Sequence, residues 1–336
     1  MTSRATRITT FLAAAGWGTA SRAPLAGDAS ARRYERLTLG SGTAVLMDAP
    51  PQSGPVRPFI AIANHLRSLG LSAPEIYAAD EPSGLLLLED LGDALFSRAI
   101  ATDPSLQNRL YSGAIDVLAT LARHPAPSGL TRLSPHLLAD MIAPAFDWYL
   151  PGATDQATDH SPITAQFRQH AETLLTGPDI LMLRDFHAEN LIWLPDRAGA
   201  AQVGLLDFQD AMAAHPAYDL VSILQDARRD VPHALETAMI RRYIAATGQN
   251  AADFGAAYAL LGAQRNLRIL GVFARLSMHF GKAQYVPLIP RVWGYLQRNL
   301  SHPALPALKS LLAVLPAPTP ETLQRITDKC GTIPTP

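Results

Sequence analysis

Two polar segments interrupt the apolar second half of this chain: LRDFHAENL at positions 183–191 and LLDFQD at positions 205–210. Among their polar residues are two acids and an amide with a defined spacing. Asp185 is followed five positions later by Asn190, and Asp207 follows a short apolar run. Any one of these residues alone would be typical of a turn or a strand end. The combination is a more specific signal, because it joins residue types and spacings that share one chemistry.

The residues between the two segments predict how these side chains meet. Apolar runs at 191–194 and 203–206 flank a turn-forming cluster at 195–199, a pattern typical of a hairpin of two short strands. Because the strands of a hairpin lie side by side, its open end would bring Asn190 next to Asp207.

An acid, an amide and a second acid suit the transfer of a phosphoryl group. The transition state of that reaction spreads negative charge over oxygen atoms, so the protein mainly positions the reactants and metal ions. Magnesium prefers oxygen ligands, usually one or two carboxylates or carbonyls in addition to phosphates. We therefore expect Asp185 to accept the proton of an alcohol, and Asn190 and Asp207 to hold Mg²⁺ against the phosphates of ATP.

Composition is that of an ordinary soluble enzyme. With 336 residues, 48% of them hydrophobic, the chain can bury one large core or two smaller ones. Its 28 basic and 29 acidic side chains nearly cancel, which predicts no affinity for nucleic acid or an anionic membrane. A single cysteine, Cys330, excludes an intramolecular disulfide and favours a cytoplasmic location. The apolar runs are far shorter than the ~20 residues of a membrane span.

The pattern of apolar residues predicts an α+β chain with two lobes. Strands at 32–39 and 44–48 flank a Gly-Ser-Gly turn, a helix follows at 58–69, and a strand at 85–88 completes a small sheet. We assign residues 1–91 to this β-rich N-terminal lobe. Residues 92–336 form a larger, mainly helical lobe, with an expected helix at 217–228 and a long one at about 252–280.

Further segments along the chain carry a resemblance to a known family. They are GDASARRY at 27–34, MDAPP at 47–51, LLLEDLGD at 86–93, YDLVS at 218–222 and QRNLRILGVFARL at 264–276. With the two catalytic segments, the sequence resembles the aminoglycoside phosphotransferase and protein-kinase-like group. Within that group it is most similar to the bacterial N-acetylmuramate/N-acetylglucosamine anomeric kinases.

The resemblance implies a bilobal protein-kinase-like fold with ATP between the lobes and Mg²⁺ as cofactor. It also implies a small-molecule sugar substrate, phosphorylated on the anomeric hydroxyl to give a sugar 1-phosphate for peptidoglycan recycling. The residues that match the family's nucleotide-binding positions are Asp28, Ser30 and Arg33 in the first loop and strand, and Glu89, Asp90 and Leu91 in the hinge. Asp219 would bond the backbone of the catalytic loop, with His187 as a second supporting residue.

The long helix offers tentative substrate residues. Gln264, Arg268 and Arg275 fall on one side of it, which is usual for a solvated face. Guanidinium groups also bind carboxylates in a bidentate manner, so the alternative is a site for an anionic group such as the lactyl carboxylate of N-acetylmuramate. On that interpretation Arg265 and Arg268 contact the substrate.

The sequence departs from the wider kinase pattern in its first lobe. The strand at 44–48 lacks the lysine that kinases direct at the phosphates, and the helix at 58–69 lacks the glutamate that pairs with it. Arg32 or Arg33 could supply the missing positive charge. Leu183 stands where kinases carry a histidine before Arg-Asp.

Two alternatives to the sugar kinase remain open at this point. The first is a kinase for another small alcohol, such as an aminoglycoside, choline or a different amino sugar. The second is a nucleotide-binding pseudokinase that regulates a partner. The missing lysine favours the pseudokinase, whereas the acid and amide set of the catalytic segments disfavours it.

Overall fold

The computed structural model describes residues 3–25 and 32–334. Over these residues the strands are β1 (Ser21–Leu25), β2 (Arg33–Leu39), β3 (Gly42–Asp48), β4 (Ile76–Asp80), β5 (Leu85–Glu89), β6 (Ile180–Met182), β7 (Leu191–Trp193), β8 (Val203–Leu205) and β9 (Met212–Ala214). The α-helices in the same part of the chain are α1 (Arg4–Ala14), α2 (Arg57–Ser68), α3 (Phe96–Thr102), α4 (Gln107–Leu121), α5 (Pro135–Asp140), α6 (Leu150–Thr154), α7 (Ser161–Leu174), α8 (Ala217–Leu224), α9 (His233–Thr247), α10 (Ala251–Met278), α11 (Ile289–Leu300), α12 (Pro306–Leu311) and α13 (Pro320–Asp328).

The chain divides into two compact units. One contains residues 1–120 and 188–211, and the other contains residues 121–187 and 212–336. The inserted segment joins the first unit because its hairpin is bonded to that unit's backbone. The Leu205 amide donates to the Ser72 carbonyl at 2.9 Å, and the Trp193 amide donates to the Ala94 carbonyl at 2.8 Å. The first unit is therefore larger than the predicted lobe that ends at residue 91.

The first unit contains a five-stranded antiparallel sheet in the order β1-β2-β3-β5-β4. The predicted hairpin and final strand are confirmed as β2, β3 and β5. Leu85 to Leu88 are all buried, so β5 is covered on both of its faces, which explains the uninterrupted apolar run. On one face of this sheet the buried side chains pack with α1; they are Leu37, Leu46, Leu85 and Leu87 of the sheet and Ile8 and Leu12 of the helix.

Helix α2 also follows its sequence pattern. Phe59, Ile62, Ala63 and Leu66 are buried, at the spacing of one helical face. The Phe59 ring stacks on Phe208 with 4.9 Å between ring centroids. This contact fixes the segment immediately after Asp207, because the buried Phe208 ring cannot move without opening the core.

The second unit is built around α10, a helix of 28 residues. Leu267, Leu270 and Phe273 belong to a core that also includes residues from α7, α11 and α12. Gly271 allows a close approach, since a Cβ atom placed there would lie 2.0 Å from the carbonyl carbon and oxygen of Pro144. The predicted long helix is confirmed, with its register set by this contact.

Helix α8 is shorter than the sequence predicts. The pattern indicates a helix over 217–228, whereas the helix ends at Leu224. Gln225 leaves the helix because its side chain is engaged in a buried network: it donates to Glu236 at 3.1 Å and accepts from Asn266 and Asn299, each at 2.8 Å. Propensity alone contains no information about such distant partners.

Among residues 3–25 and 32–334, no helix is both long and apolar enough to cross a membrane.

Candidate active site

The segment that contains Asp185 is a tight loop after β6. Strand β6 is held by antiparallel pairing with β9. Arg184 then takes a left-handed backbone conformation with φ of 72°, which is rare for a residue other than glycine. The Asp185 amide donates to the Leu183 carbonyl at 2.9 Å, and the His187 amide donates to the Asp185 carbonyl at 3.1 Å. These bonds fix the backbone on either side of Asp185, whose side chain is half-buried.

Asp219, in the first turn of α8, is hydrogen-bonded to the backbone of this loop. Its carboxylate accepts hydrogen bonds from the backbone amides of Leu183 at 2.6 Å and Arg184 at 2.9 Å. Asp219 is only 3% exposed, so these hydrogen bonds are shielded from water. Burial raises the pKa of Asp219 to about 7, and the two amide donors partly offset that rise.

His187 lies in the same loop and is also buried. Burial, and then the positive charges of Arg228 and Arg265, lower the pKa of His187 to about 3. The imidazole is therefore neutral at physiological pH. A neutral, buried histidine adds no charge beside Asp185.

The hairpin β7–β8 in the first unit has the predicted form. Leu191, Ile192 and Trp193 pair with Leu205, Gly204 and Val203. At the open end of the hairpin the Leu206 amide donates to the Asn190 carbonyl at 3.0 Å, so Asn190 lies beside the strand that leads into Asp207.

Asp207, two residues after strand β8, has a φ of 55°, a left-handed backbone conformation that is rare for a residue other than glycine. Gln209 donates to this carboxylate at 2.6 Å. Asp207 is exposed, whereas Asn190 is 9% exposed. A carboxylate and an amide oxygen at one end of a rigid hairpin fit a hard divalent cation that keeps other oxygen ligands.

The predicted nucleotide-binding residues have different surroundings. Asp28 and Ser30 lie outside the described residues. Arg33 pairs in register with Asp48 and is exposed, on the sheet face that also contains Leu37. Neighbouring Arg32 instead forms a hydrogen bond with the Tyr34 side chain. Burial is the main cause that raises the pKa of Tyr34, and the negative charge of Asp207 raises it further, so Tyr34 lies near that carboxylate.

Two of the predicted hinge residues, Glu89 and Asp90, form ion pairs, and the third, Leu91, is buried. Glu89 binds Arg197, and its second oxygen lies 3.7 Å from Arg67. Asp90 binds Arg36 at 2.7 Å, and Leu91 is buried. Arg36 also binds Asp93 at 2.7 Å, and these hydrogen bonds raise the pKa of Arg36 above its usual value. Arg36 was not predicted from the sequence, because its only signal there is that it shares a strand face with Tyr34.

A cleft of about 210 Å³ adjoins Asp185 in the second unit. Its walls combine charged residues with the apolar side chains of Ile269, Val272 and Phe273. The arginines that line it are Arg184, Arg228, Arg265 and Arg268, and the acids are Asp185 and Asp226. Arg265 and Arg268 were predicted from the sequence, whereas Arg184 and Arg228 were not. Lone arginines in a loop give no sequence signal that separates them from surface residues.

The other polar residues of the predicted α10 face do not share this cleft. Gln264 is completely buried and donates to the Leu138 carbonyl at 3.1 Å. Arg275 is exposed and lies over the Phe280 ring, 5.9 Å from its centroid. The interpretation of these positions as one solvated stripe is therefore wrong. Tertiary packing gives each of the three positions a different environment.

This loop, hairpin and sheet define a phosphotransferase. A model of the phosphotransferase enzyme family matches residues 21–260, and the chain belongs to that family. The expected kinase-like family and α+β fold are thereby confirmed.

Relatives of known name lie in the same family. The chain is 40% identical to an N-acetylmuramate/N-acetylglucosamine kinase of Caulobacter vibrioides, over 89% of this chain and 93% of the relative. It is 31% identical to the kinase of that name from Pseudomonas aeruginosa, over 90% and 92% of the two chains.

Solved structures show the same fold at lower identity. A putative aminoglycoside phosphotransferase from Ralstonia eutropha matches with a TM-score of 0.60 and 14% identity, over 87% of this chain and 97% of that one. A choline kinase from Streptococcus pneumoniae matches with a TM-score of 0.56 and 13% identity, over 88% and 100% of the two chains.

Proposed function

We propose that this chain is an ATP- and Mg²⁺-dependent kinase that phosphorylates the anomeric hydroxyl of N-acetylmuramate, N-acetylglucosamine or both. The product would be a sugar 1-phosphate for peptidoglycan recycling in the cytoplasm. The relatives named for these two sugars support the acceptor. The observation that carries the proposal is the cleft beside Asp185, where Arg268 and Arg265 line the wall next to the half-buried carboxylate.

Each residue of the proposed mechanism has one task. Asp185 accepts the proton of the sugar hydroxyl as that oxygen attacks the terminal phosphorus of ATP and the bond to the leaving ADP breaks. Asn190 and Asp207 would hold Mg²⁺, which neutralises charge on the nucleotide phosphates. Asp219 keeps the loop in shape through the amides of Leu183 and Arg184.

The nucleotide side of the proposal rests on the first unit. We assign Asp28, Ser30 and Arg33, the residues expected from the family pattern, to the nucleotide side of the site, with Arg32 or Arg33 supplying positive charge to the phosphates. The adenine would bind the backbone of the hinge at Glu89, Asp90 and Leu91, whose side chains are occupied by ion pairs or burial. Solved relatives bound to AMP or ADP support nucleotide use.

The charge of the cleft distinguishes the candidate acceptors. A cationic acceptor such as choline or an aminoglycoside would need acidic surroundings, and four arginines face two acids here. The same excess of arginines over acids favours an acceptor that has a carboxylate, because guanidinium groups bind carboxylates through charge-assisted hydrogen bonds. The near-neutral net charge of −1 supports a small-molecule substrate over a nucleic acid.

The test incubates the full chain with Mg²⁺-ATP and, separately, N-acetylmuramate, N-acetylglucosamine and an aminoglycoside. Phosphorus NMR then follows new phosphate signals and their coupling to the anomeric proton. A phosphate coupled to that proton with either amino sugar is the expected result. Phosphate on another hydroxyl would overturn the assigned position, and tight ATP binding without any product would favour the pseudokinase.

A further inference from the structure

The cleft beside the Asp185 loop is lined by four arginines and only two acids. Arg265 is engaged with the loop's support: its Nη2 donates to Ser222 Oγ at 2.8 Å, and its charge acts on both Asp219 and His187. The guanidinium groups of Arg228 and Arg268 have no hydrogen bond or ion pair with an acid among residues 3–25 and 32–334. Two like charges that share a small cleft repel each other, so this arrangement favours a bound anion.

Arg228 is held in place by a buried framework. Helix α8 ends one residue before Gln225, which is 1% exposed and bonded to residues of three other helices. Asp226 follows, also buried, and accepts the Arg228 amide at 2.8 Å. The loop that presents Arg228 is therefore ordered before any ligand binds, which reduces the entropy cost of binding.

Arg268 belongs to the most rigid element of the unit. It lies on α10 three residues before Gly271, whose close contact with Pro144 fixes the rotation of the helix. Ile269 and Val272 form the apolar wall beside it. Apolar surroundings weaken the screening of charge by water, so an anion in this cleft is bound more strongly than at an open surface.

We propose that Arg228 and Arg268 bind a carboxylate of the phosphoryl acceptor and so determine its specificity, while Arg265 is a positioning residue for the loop around Asp185. This inference rests on the proposed function and names the acceptor class: an amino sugar with an acidic substituent. The enzyme then prefers N-acetylmuramate over N-acetylglucosamine, which has the same ring without the carboxylate. Charge-assisted hydrogen bonds to guanidinium groups supply the difference.

The experiment compares steady-state kinetics of the full chain with Arg228→Gln, Arg268→Gln and Arg265→Gln, for both sugars and for ATP. Arg275→Gln is the matched control, since it removes the same charge from an exposed site on α10 outside the cleft. Loss of one charge-assisted bond predicts a roughly tenfold or greater fall in kcat/KM for N-acetylmuramate with Arg228→Gln and Arg268→Gln. With N-acetylglucosamine these variants should match the wild type within about twofold.

Arg265→Gln should behave differently. It should lower kcat with both sugars and leave both sugar KM values unchanged, because it acts through the loop and not on the carboxylate. Equal losses for the two sugars with Arg228→Gln and Arg268→Gln, or a rise in the KM of ATP, would overturn the proposal; the second result would assign these arginines to the nucleotide phosphates.

Binding separates this inference from the proposed function. Thermal unfolding of each variant, with and without each sugar, needs no turnover. Stabilisation of the wild type by N-acetylmuramate that is lost in Arg228→Gln and Arg268→Gln supports the carboxylate site even if no phosphate is transferred. Equal stabilisation of the wild type and these two variants overturns it, whatever the kinase assay shows.

Discussion

The Asp219 carboxylate accepts hydrogen bonds from two backbone amides in the loop after β6. The amides of Leu183 and Arg184 point at it, and it is nearly inaccessible to water. A buried amide without an acceptor is costly, so the geometry of the loop depends on this one side chain.

Replacement of Asp219 by alanine should therefore destabilise the chain. Each unsatisfied amide costs about 1–3 kcal/mol, which gives roughly 2–6 kcal/mol for the pair. Denaturant unfolding measures the loss. Asp253→Ala, which removes an exposed acid from the first turn of α10, should cost about 1 kcal/mol or less. Equal stability of the two variants would contradict a supporting role for Asp219.

His187 predicts a dependence of stability on pH. Burial lowers the pKa of His187 to about 3, and burial lowers the pKa of His215 to about 4. The unfolded chain gains protons on these histidines below about pH 6.5 while the folded chain does not, so the two histidines contribute a loss of stability as the pH falls. The raised pKa of Asp219 acts in the opposite direction over this range, so the contribution of His187 is measured as the difference between a variant and the wild type.

The His187→Gln variant should lose less stability than the wild type between about pH 6.5 and pH 4. Urea unfolding across that range gives the comparison. His136→Gln, at a histidine whose side chain is 70% exposed, is the control and should follow the wild type. Parallel curves for His187→Gln and the wild type would show that this histidine is not held neutral by burial.

Among the helices and strands, those formed by neighbouring segments could be predicted from the sequence, whereas pairings between distant segments could not. The hairpins β2–β3 and β7–β8 join neighbouring segments with clear turn residues, so the sequence predicted both. Strands β6 and β9 have three residues each and pair across 29 intervening residues, which leaves no periodicity to detect. The early end of α8 likewise depends on Glu236 and Asn299, far along the chain.

Helix α10 provides a prediction about packing. Gly271→Ala would place a Cβ atom 2.0 Å from the Pro144 carbonyl, and neither backbone can move easily. Overpacking of this kind costs about 1–3 kcal/mol or more, and the shifted helix would also carry Arg268 out of place.

Gly255→Ala tests the same exchange on the same helix where there is room. The nearest atom to a Cβ at position 255 is His302 Nε2 at 3.8 Å. Alanine is the better helix former, so this variant should be as stable as the wild type or more stable by up to about 1 kcal/mol. Thermal unfolding of the two variants should move in opposite directions. A stable Gly271→Ala would contradict the close contact.

At the scale of the whole molecule, the predicted residues are divided between two units. Asp185, Asp219 and the arginine-lined cleft belong to one, and Asn190 and Asp207 belong to the other. The sequence predicted Asp185, Asn190 and Asp207 because their spacing is specific. It missed Arg228, which only the folded chain brings to the cleft, and Arg36, whose partner Asp90 lies 54 positions further along the chain.

The proposed Mg²⁺ ligands, Asn190 and Asp207, both belong to the first unit. Asp207→Asn replaces a charged oxygen ligand with a neutral one and should raise the Mg²⁺ concentration needed for half-maximal activity by roughly tenfold or more. Asp196→Asn, an exposed acid in the turn of the same hairpin, should leave the requirement unchanged. Initial rates in a magnesium titration compare the two. Equal requirements would remove Asp207 from the metal site.

The central claim is that Asp185 accepts the proton of an amino-sugar hydroxyl during phosphoryl transfer from ATP. The most direct measurement is the rate of N-acetylmuramate-dependent ADP formation by the wild type, Asp185→Asn and the control Asp196→Asn, with ATP affinity measured beside it. We predict a loss of about 10²-fold or more for Asp185→Asn at unchanged ATP affinity, and a wild-type rate for Asp196→Asn. A rate for Asp185→Asn within a few-fold of the wild type would contradict the claim.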